Sequence, residues 1–397
     1  MLRFIKAIGW GFGRFGKLLG NIPSFFIRTC LPVEKGAVVC WSYSFKQYSC
    51  NPRYITEYLL EKHPEYRIFW VFRGSKAPSD LDRRIKVVRY RSWAYLKAMN
   101  TAEFLITNAR TDAWKIYWQK REGQKYIMTW HGGVALKQVE ADAEDKLSYN
   151  YVRKAKMDSE ICDLMISGAK CQTRLLAEKF WYNGEILEKG TPRCDVLFDS
   201  DRHKMMSRNV RRAYGIPSDS IIVLYAPTFR TNKSIEPYRI GWEAATPALK
   251  DMYKGADVRI LLRLHPNLIG KVDVSSLLNS PSVIDVTSFH DMQELMCISD
   301  MLITDYSSSM FDFMMLKRPC LLYATDMNEY DRGYYYNFNE LPFPLAQTQT
   351  ELIENILSFD RDEYIADIER FDNEKVGLVE DGNACRAIAE WMRKHSI

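Results

Sequence analysis

No Cys-x-x-Cys pair occurs in this sequence, although it holds nine cysteines, at 30, 40, 50, 162, 171, 194, 297, 320 and 385. They are scattered, odd in number and mostly set in apolar runs. That pattern argues against a zinc site or a disulfide framework and reads as small buried hydrophobes of a reducing compartment. No Gly-x-x-x-x-Gly-Lys-Ser/Thr loop is present, which argues against P-loop NTPase chemistry. No Gly-x-Gly-x-x-Gly follows the first strand-like run, which argues against a dinucleotide oxidoreductase. The glycines at 9, 11, 13 and 16 fit that spacing loosely, and no strand precedes them. No carboxylate–histidine cluster has metal-ligand spacing, so neither a metal nor another cofactor is expected. Short repeats and low-complexity tracts are missing too.

Acidic residues are absent from positions 1–33, which carry Arg3, Lys6, Arg14, Lys17 and Arg28. The net charge of +5 is thereby confined to this segment, and the rest of the chain is balanced. A general nucleic-acid-binding protein spreads its basic stripe over the folded body, so no nucleic-acid partner is expected. At about 100° per residue, Phe4, Ile5, Ile8, Phe12, Phe15, Leu18 and Leu19 share one arc, opposite Arg3, Lys6, Arg14 and Lys17. A basic amphipathic helix of this kind suits an anionic membrane surface. Its basic residues interrupt it too often for a spanning helix, and it lacks a secretory apolar core. Five glycines in the segment oppose helix in water at about 1 kcal/mol each, which a lipid surface would offset. A helix docked on the protein's own body is the alternative reading.

What is present is a chain of 397 residues, 47% apolar and 26% charged, enough for two domains with a substantial core. Strand-like runs at 37–42, 66–72, 85–88, 103–108, 125–129, 164–167 and 185–187 alternate with helical stretches at 52–62, 93–100 and 171–180. The rhythm repeats at 221–225, 258–264, 283–285, 301–304 and 320–323, with helices at 242–250, 292–298 and 311–316 and C-terminal helices at 351–358 and 383–394. Alternation of this kind predicts α/β architecture with two Rossmann-like, doubly wound parallel sheets. The turn-rich Gly190-Thr-Pro-Arg193 suits a junction. The expected units are a membrane-associating segment 1–34, a first domain 35–200 and a second domain 201–397.

Several strand ends carry polar groups. His131 follows one strand and precedes two glycines that let a ligand approach the backbone. Arg263 and His265 end another, Thr228 and Arg230 a third. Thr304, Asp305, Ser307 and Ser308 close a fourth and open a helix. A histidine takes a proton from a hydroxyl near neutral pH. Arginine and a second histidine neutralise phosphate, and hydroxyls with N–H groups at a helix start hold a pyrophosphate. The set suits transfer from a nucleotide-diphosphate donor to an alcohol. Each member also has an ordinary structural role available, such as a helix cap for the serines or an ion pair for the arginines. Spacing alone does not separate phosphoryl from glycosyl transfer.

These residues lie within Tyr48-Ser-Cys-Asn-Pro-Arg-Tyr-Ile55, Thr129-Trp-His-Gly132, Gly190-Thr-Pro-Arg-Cys-Asp195, Tyr225-Ala-Pro-Thr-Phe-Arg230, Arg263-Leu-His-Pro266 and Thr304-Asp-Tyr-Ser-Ser308. In that order they resemble the CDP-glycerol:glycerophosphotransferase family, which builds wall teichoic acid and related poly(alditol phosphate) polymers. The resemblance spans about residues 37–323. It implies a glycosyltransferase-B-like (GT-B) fold, with the first domain facing a membrane-borne acceptor and the second holding CDP-glycerol. His131 matches the family's candidate general base, and His265, beside Arg263, the histidine near the donor phosphates. Thr304, Asp305, Ser307 and Ser308 match the diphosphate-binding turn, where the family often has serine in place of Thr304. Gly132, Arg193, Thr228 and Arg230 fall in the matched segments and are taken with the substrate-binding residues.

The resemblance implies an enzyme peripheral to the cytoplasmic face of the cell membrane. It would attack the β-phosphorus of CDP-glycerol with an acceptor hydroxyl of a lipid-linked saccharide or glycerophosphate and release CMP. Polymerases of the family often carry a long extra region; only about 35 residues precede the first strand here, which favours a primase, with a short polymerase or a capsule enzyme as the alternatives. CDP-ribitol as donor, a GT-B sugar transferase using a nucleotide sugar, and a non-catalytic scaffold are the competing readings.

Overall fold

Parallel strands build the computed structural model, which describes residues 21–74, 77–112, 115–230, 234–265, 268, 273–327 and 333–397. One sheet comprises β1 (Glu34–Trp41), β2 (Arg67–Phe72), β3 (Lys86–Arg89), β4 (Ala102–Thr107), β5 (Lys125–Met128), β6 (Leu164–Ser167) and β7 (Glu185–Glu188), in the order β3-β2-β1-β4-β5-β6-β7. The other comprises β8 (Ile221–Tyr225), β9 (Val258–Leu262), β10 (Val283–Asp285), β11 (Met301–Thr304), β12 (Cys320–Tyr323) and β13 (Leu345–Ala346), in the order β10-β9-β8-β11-β12-β13. Neighbouring strands run parallel in both. Val38, Val39 and Cys40 in β1 and Phe104, Leu105 and Ile106 in β4 are fully buried. Helices cover both faces of a parallel sheet, so successive positions are all apolar rather than alternating.

Helices fill the crossovers. They are α1 (residues 21–30), α2 (Cys50–Lys62), α3 (Trp93–Thr101), α4 (Tyr149–Ile161), α5 (Lys170–Lys179), α6 (Ser200–Tyr214), α7 (Trp242–Met252), α8 (Met292–Ile298), α9 (Ser309–Met314), α10 (Gln349–Leu357), α11 (Arg361–Phe371) and α12 (Ala384–Lys394). The apolar pattern does not announce α4, α6 or α11. α6 buries only Met206 and Val210, and its ends carry the signal instead: Asp199 accepts from the N–H groups of Asp201 and Arg202, and Gly215 closes it at φ 65°.

In each sheet the order reverses beside the first strand, between β1 and β4 and between β8 and β11. Ligands of open α/β sheets bind outside the carboxyl ends of strands at such points. The segments that leave these ends are 42–51 and 108–111 in one half, and 226–230 and 305–309 in the other.

The amphipathic segment over residues 1–20 lies outside the described residues. α1 docks on the first half through buried Ile27 and through Ser24, whose hydroxyl donates to Tyr117 O at 2.9 Å. Ile22, Phe25 and Phe26 of α1 are exposed.

The chain then returns to where it began. α12 packs on α2, and Trp391 Nε1 donates to Glu185 at 2.8 Å. The strap before it bonds to the first half through Val379 N to Gly168 O and Lys170 N to Gly377 O, each 2.9 Å. Glu380 enters a slot there and accepts from Thr191 N at 2.9 Å. A Cβ at Gly168 would stand 1.9 Å from Glu380 Oε1, so only glycine leaves room for that carboxyl. Burial, reinforced by Asp312 and Asp195, pushes the Glu380 carboxyl up to about 8 against the lowering effect of Thr191.

A carboxyl that ionises near 4.5 when unfolded and near 8 when folded binds its proton more tightly in the fold. Its contribution is full below the unfolded value and is lost as pH rises towards 8. Glu380→Gln is expected to flatten the fall in thermal midpoint between pH 5 and pH 8.5; wild type and variant with parallel curves would count against the raised value.

Candidate active site

His131 sits at the carboxyl end of β5, two residues after Thr129, whose N–H donates to Thr107 O at 2.8 Å. Trp130 between them takes φ 54°, a left-handed conformation that turns the chain sharply into the cleft. Asn51 Nδ2 holds the turn by donating to Thr129 O at 3.3 Å and Trp130 O at 3.1 Å. His131 Nδ1 lies 2.8 Å from Asn108 O. A carbonyl oxygen only accepts, so Nδ1 carries the hydrogen and Nε2 keeps its lone pair. The ring retains accessible surface although protein surrounds it, as on the floor of a cleft. Burial lowers its pKa below 6.5 and Arg193 lowers it further, against the Asn108 bond. The neutral form of His131 is thereby favoured.

Arg193 is buried and fully engaged. Its guanidinium makes a two-pronged pair with Asp312 of α9, at 2.9 and 3.0 Å, and Nη1 donates to His131 O at 2.6 Å. Its own N–H donates to Asn51 Oδ1 at 3.0 Å, and Gln293 Nε2 donates to Asp312 at 3.2 Å. The residue anticipated as a substrate contact is placed as a tie between the two halves that also fixes the His131 backbone.

Across the cleft, Arg230, Asp305 and Thr304 turn inward. Arg230 pairs with Asp305 at 2.9 Å and Asp326 at 2.6 Å, with its guanidinium carbon 4.8 Å from the Tyr306 ring centre. Asp305 Oδ1 accepts from Thr228 N at 2.8 Å and Tyr306 N at 2.6 Å. Thr304 Oγ1 donates to Ala226 O at 2.7 Å, tying β11 to the end of β8. These residues shape the turn rather than line it. Thr228 Oγ1 is buried with no hydrogen-bond partner among the described residues. Ser307 and Ser308 are half-buried; Ser307 Oγ accepts from Ser309 N at 3.3 Å, and Ser308 opens α9 without a side-chain cap.

Arg263 follows β9, 9% exposed, and donates to Phe289 O. Among the described residues no carboxylate lies within ion-pair distance of it, and burial lowers its pKa. Asp291 opposes that shift from beyond ion-pair distance, and a buried guanidinium so weakly compensated is costly, a cost that a ligand anion would relieve. His265 is exposed, and its pKa is lowered by burial, then by Arg263 and Lys137. Gly132 O accepts from Gln172 Nε2 at 3.0 Å. The nearest atom to a Cβ built there is 3.8 Å away, so packing alone does not demand glycine.

Tyr43, Asn51, Asn108 and Asp312 escape the sequence reading. Tyr43, Ser44 and Phe45 all take positive φ, at 44°, 58° and 71°. Such strain persists only where its surroundings enforce it; Asn108 Oδ1 accepts from Tyr43 N at 2.9 Å. The Tyr43 ring stands 5.8 Å from His131, edge to face. An asparagine closing an apolar strand was the available signal for Asn108; nothing local marks Asp312. Among the described residues no group of three His, Cys, Asp or Glu could hold a metal ion.

Comparisons with known proteins bear on this site. A profile of the family described as CDP-Glycerol:Poly(glycerophosphate) glycerophosphotransferase matches residues 24–394. The chain is 33% identical over 379 residues to the teichoic acid poly(glycerol phosphate) polymerase of Staphylococcus epidermidis, covering 91% of itself and 51% of that relative. It thus spans about half the length of that curated relative. To the teichoic acid glycerol-phosphate transferase of Staphylococcus aureus it is 31% identical over 396 residues, covering 95% of each. A solved structure of the wall teichoic acid polymerase TagF matches with a TM-score of 0.79 at 30% identity, over 99% of this chain and 96% of that one. TagF soaked with CDPG matches with the same TM-score. The fold is of the GT-B-like type.

Removing one partner of a buried ion pair strands the other charge at a cost of about 3–5 kcal/mol. Asp312→Ala is expected to lower unfolding stability by an amount of that order, read from denaturant unfolding. A loss no larger than that of a surface aspartate would contradict the placement of Arg193.

Proposed function

We propose that this chain, which belongs to the CDP-glycerol:poly(glycerophosphate) glycerophosphotransferase family, transfers glycerol phosphate from CDP-glycerol to a hydroxyl of a membrane-linked acceptor in teichoic acid synthesis. The observation that carries the reading is the His131 tautomer: Nδ1 is committed to Asn108 O, leaving Nε2 as a base, with Tyr43 both against the His131 ring and within electrostatic reach of Arg263.

In this reading Nε2 of His131 takes the proton of the acceptor hydroxyl. The oxygen attacks the β-phosphorus, a new phosphorus–oxygen bond forms, and the bond to the oxygen shared with CMP breaks. CMP leaves with that electron pair, and the proton passes from His131 to solvent. Arg263 neutralises charge on the diphosphate, a His265 ring N–H donates to it, and the Thr228, Ser307 and Ser308 hydroxyls orient it. Positioning and charge neutralisation supply most of the acceleration in transfers at phosphorus. Arg193 and Arg230 act at one remove: the first holds His131, the second shapes the 305–309 turn.

Membrane association belongs to the same reading. No helix among the described residues is long and apolar enough to cross a membrane. Ile22, Phe25 and Phe26 on α1 present an apolar edge, continuous in sequence with the basic segment before it, which suits peripheral attachment at the cytoplasmic face.

CMP release from CDP-glycerol, with a lipid-linked saccharide acceptor and products resolved by mass, tests the function. One added glycerol phosphate identifies a primase and a ladder a polymerase; release only from CDP-ribitol or a nucleotide sugar overturns the donor. His131→Ala is expected to lose about two to four orders of magnitude in kcat. The acid limb of kcat/KM is expected to have a midpoint below 6.5, because burial disfavours the protonated ring. Full activity in His131→Ala would remove the assigned base. Phe25→Asp with Phe26→Asp is expected to weaken sedimentation with anionic liposomes, and unchanged sedimentation would separate α1 from attachment.

A further inference from the structure

A ribbon from the first half of the chain crosses to the second beside the donor turn. Tyr335 N donates to Leu136 O at 2.9 Å and Gln138 N to Gly333 O at 2.8 Å, which brings Lys137 and Tyr334 together as an antiparallel pair. The two bonds flank this pair rather than join it. In such a pair the side chains stand on the same face and closest together. The Tyr334 ring lies 6.3 Å from Tyr306 and 5.0 Å from Phe338. The face that carries Lys137 is therefore turned towards the segment that starts at Asp305. The Gln138 side-chain amide lies over Gly333, its Oε1 2.0 Å from where a Cβ would stand. Tyr335 OH donates to Asp142 at 2.9 Å and accepts from Val139 N at 3.3 Å.

Lys137 also lies within electrostatic reach of His265, on which it acts together with Arg263. The Lys137 and Arg263 cations, from two halves of the chain, thus both act on one corner of the cleft, where buried Arg263 has no carboxylate within ion-pair distance among the described residues and Asp291 acts on it only from further off. Convergence of like charge is unfavourable unless an anion offsets it.

We propose that Lys137 is a ligand of the donor's diphosphate, completing with Arg263 and His265 an anion site that neither half of the chain holds alone. The proposal rests on the phosphotransfer reading above and deepens it. Lysine acts here as a compact point charge with three donors. As the bond to CMP breaks, the departing oxygen gains negative charge, and the ammonium offsets it without giving up a proton. Because the ribbon that carries Lys137 begins just after His131, one loop delivers both the base for the acceptor and a cation for the donor.

The probe is inorganic pyrophosphate, titrated calorimetrically into the full chain, since its binding needs neither acceptor nor turnover. Lys137→Gln is expected to weaken binding about tenfold to a hundredfold, the worth of one charge-assisted hydrogen bond, and Lys137→Arg to retain most of it. In the same variant the His265 ring, followed by NMR, is expected to titrate at higher pH, because a neighbouring cation has gone; loss of mere ribbon packing would not give that shift. No measurable pyrophosphate binding by wild type, or an unchanged affinity in folded Lys137→Gln, overturns the proposal. If CDP-glycerol is not turned over while pyrophosphate affinity still depends on Lys137, the donor assignment fails and the anion site stands.

Discussion

The buried pair between Arg193 and Asp312 is the constraint on which the cleft depends. Two sheets have separate strand ends, and neither alone forms a site. Arg193 leaves the end of the first half and Asp312 sits on α9 of the second, so their two-pronged contact sets the separation of the walls. The same guanidinium donates to His131 O, which links that separation to the position of His131. A second set reinforces it, with Arg53 of α2 paired to Glu294 at 2.6 Å and Asp291 at 3.3 Å, and Tyr54 OH on Asp291 at 3.0 Å. Buried ion pairs contribute little net stability because desolvation opposes them, but a broken one is expensive. Such pairs are better suited to fixing an arrangement than to strengthening a fold.

Charge is distributed unevenly around the cleft, and the unevenness sorts residues by role. Arg193 and Arg230 have carboxylates within 3 Å and behave as scaffold. Arg263 is also buried, 9% exposed against 4% and 5%, yet lacks a carboxylate within ion-pair distance among the described residues. Three arginines of similar appearance in sequence therefore have two different fates, decided by whether a carboxylate reaches them. The same contrast separates Thr304, whose hydroxyl is spent on Ala226 O, from Thr228, whose hydroxyl has no partner among the described residues.

Backbone strain concentrates on the His131 side of the cleft. Left-handed residues at 43–45, at Cys50 and at Trp130 surround the His131 turn. Asn51 and Asn108 hold these segments through side-chain bonds to backbone atoms. Asparagine suits the task because one planar group both donates and accepts. The result is a histidine whose tautomer, backbone and ring neighbours are each set by a different segment of the chain.

Much of this was legible in sequence, and the reasons are local. Apolar runs of strand length alternating with helical stretches specify parallel α/β architecture, because a strand covered on both faces must be apolar throughout. His131, His265, Arg263 and the 304–308 turn were identifiable because each directly follows such a run. α4, α6 and α11 were not, since their apolar stripes are thin and their stability comes from caps and neighbours. Local sequence also could not say that Arg193 and Arg230 face inward, that α12 returns to α2, or that Lys137 meets Tyr334. Each of those facts joins residues far apart in the chain, and a side chain's chemistry is set by its partners in space. Sequence by itself determined which residues stand at the strand ends; only the tertiary structure decided which of them are spent on one another and which are left for a ligand.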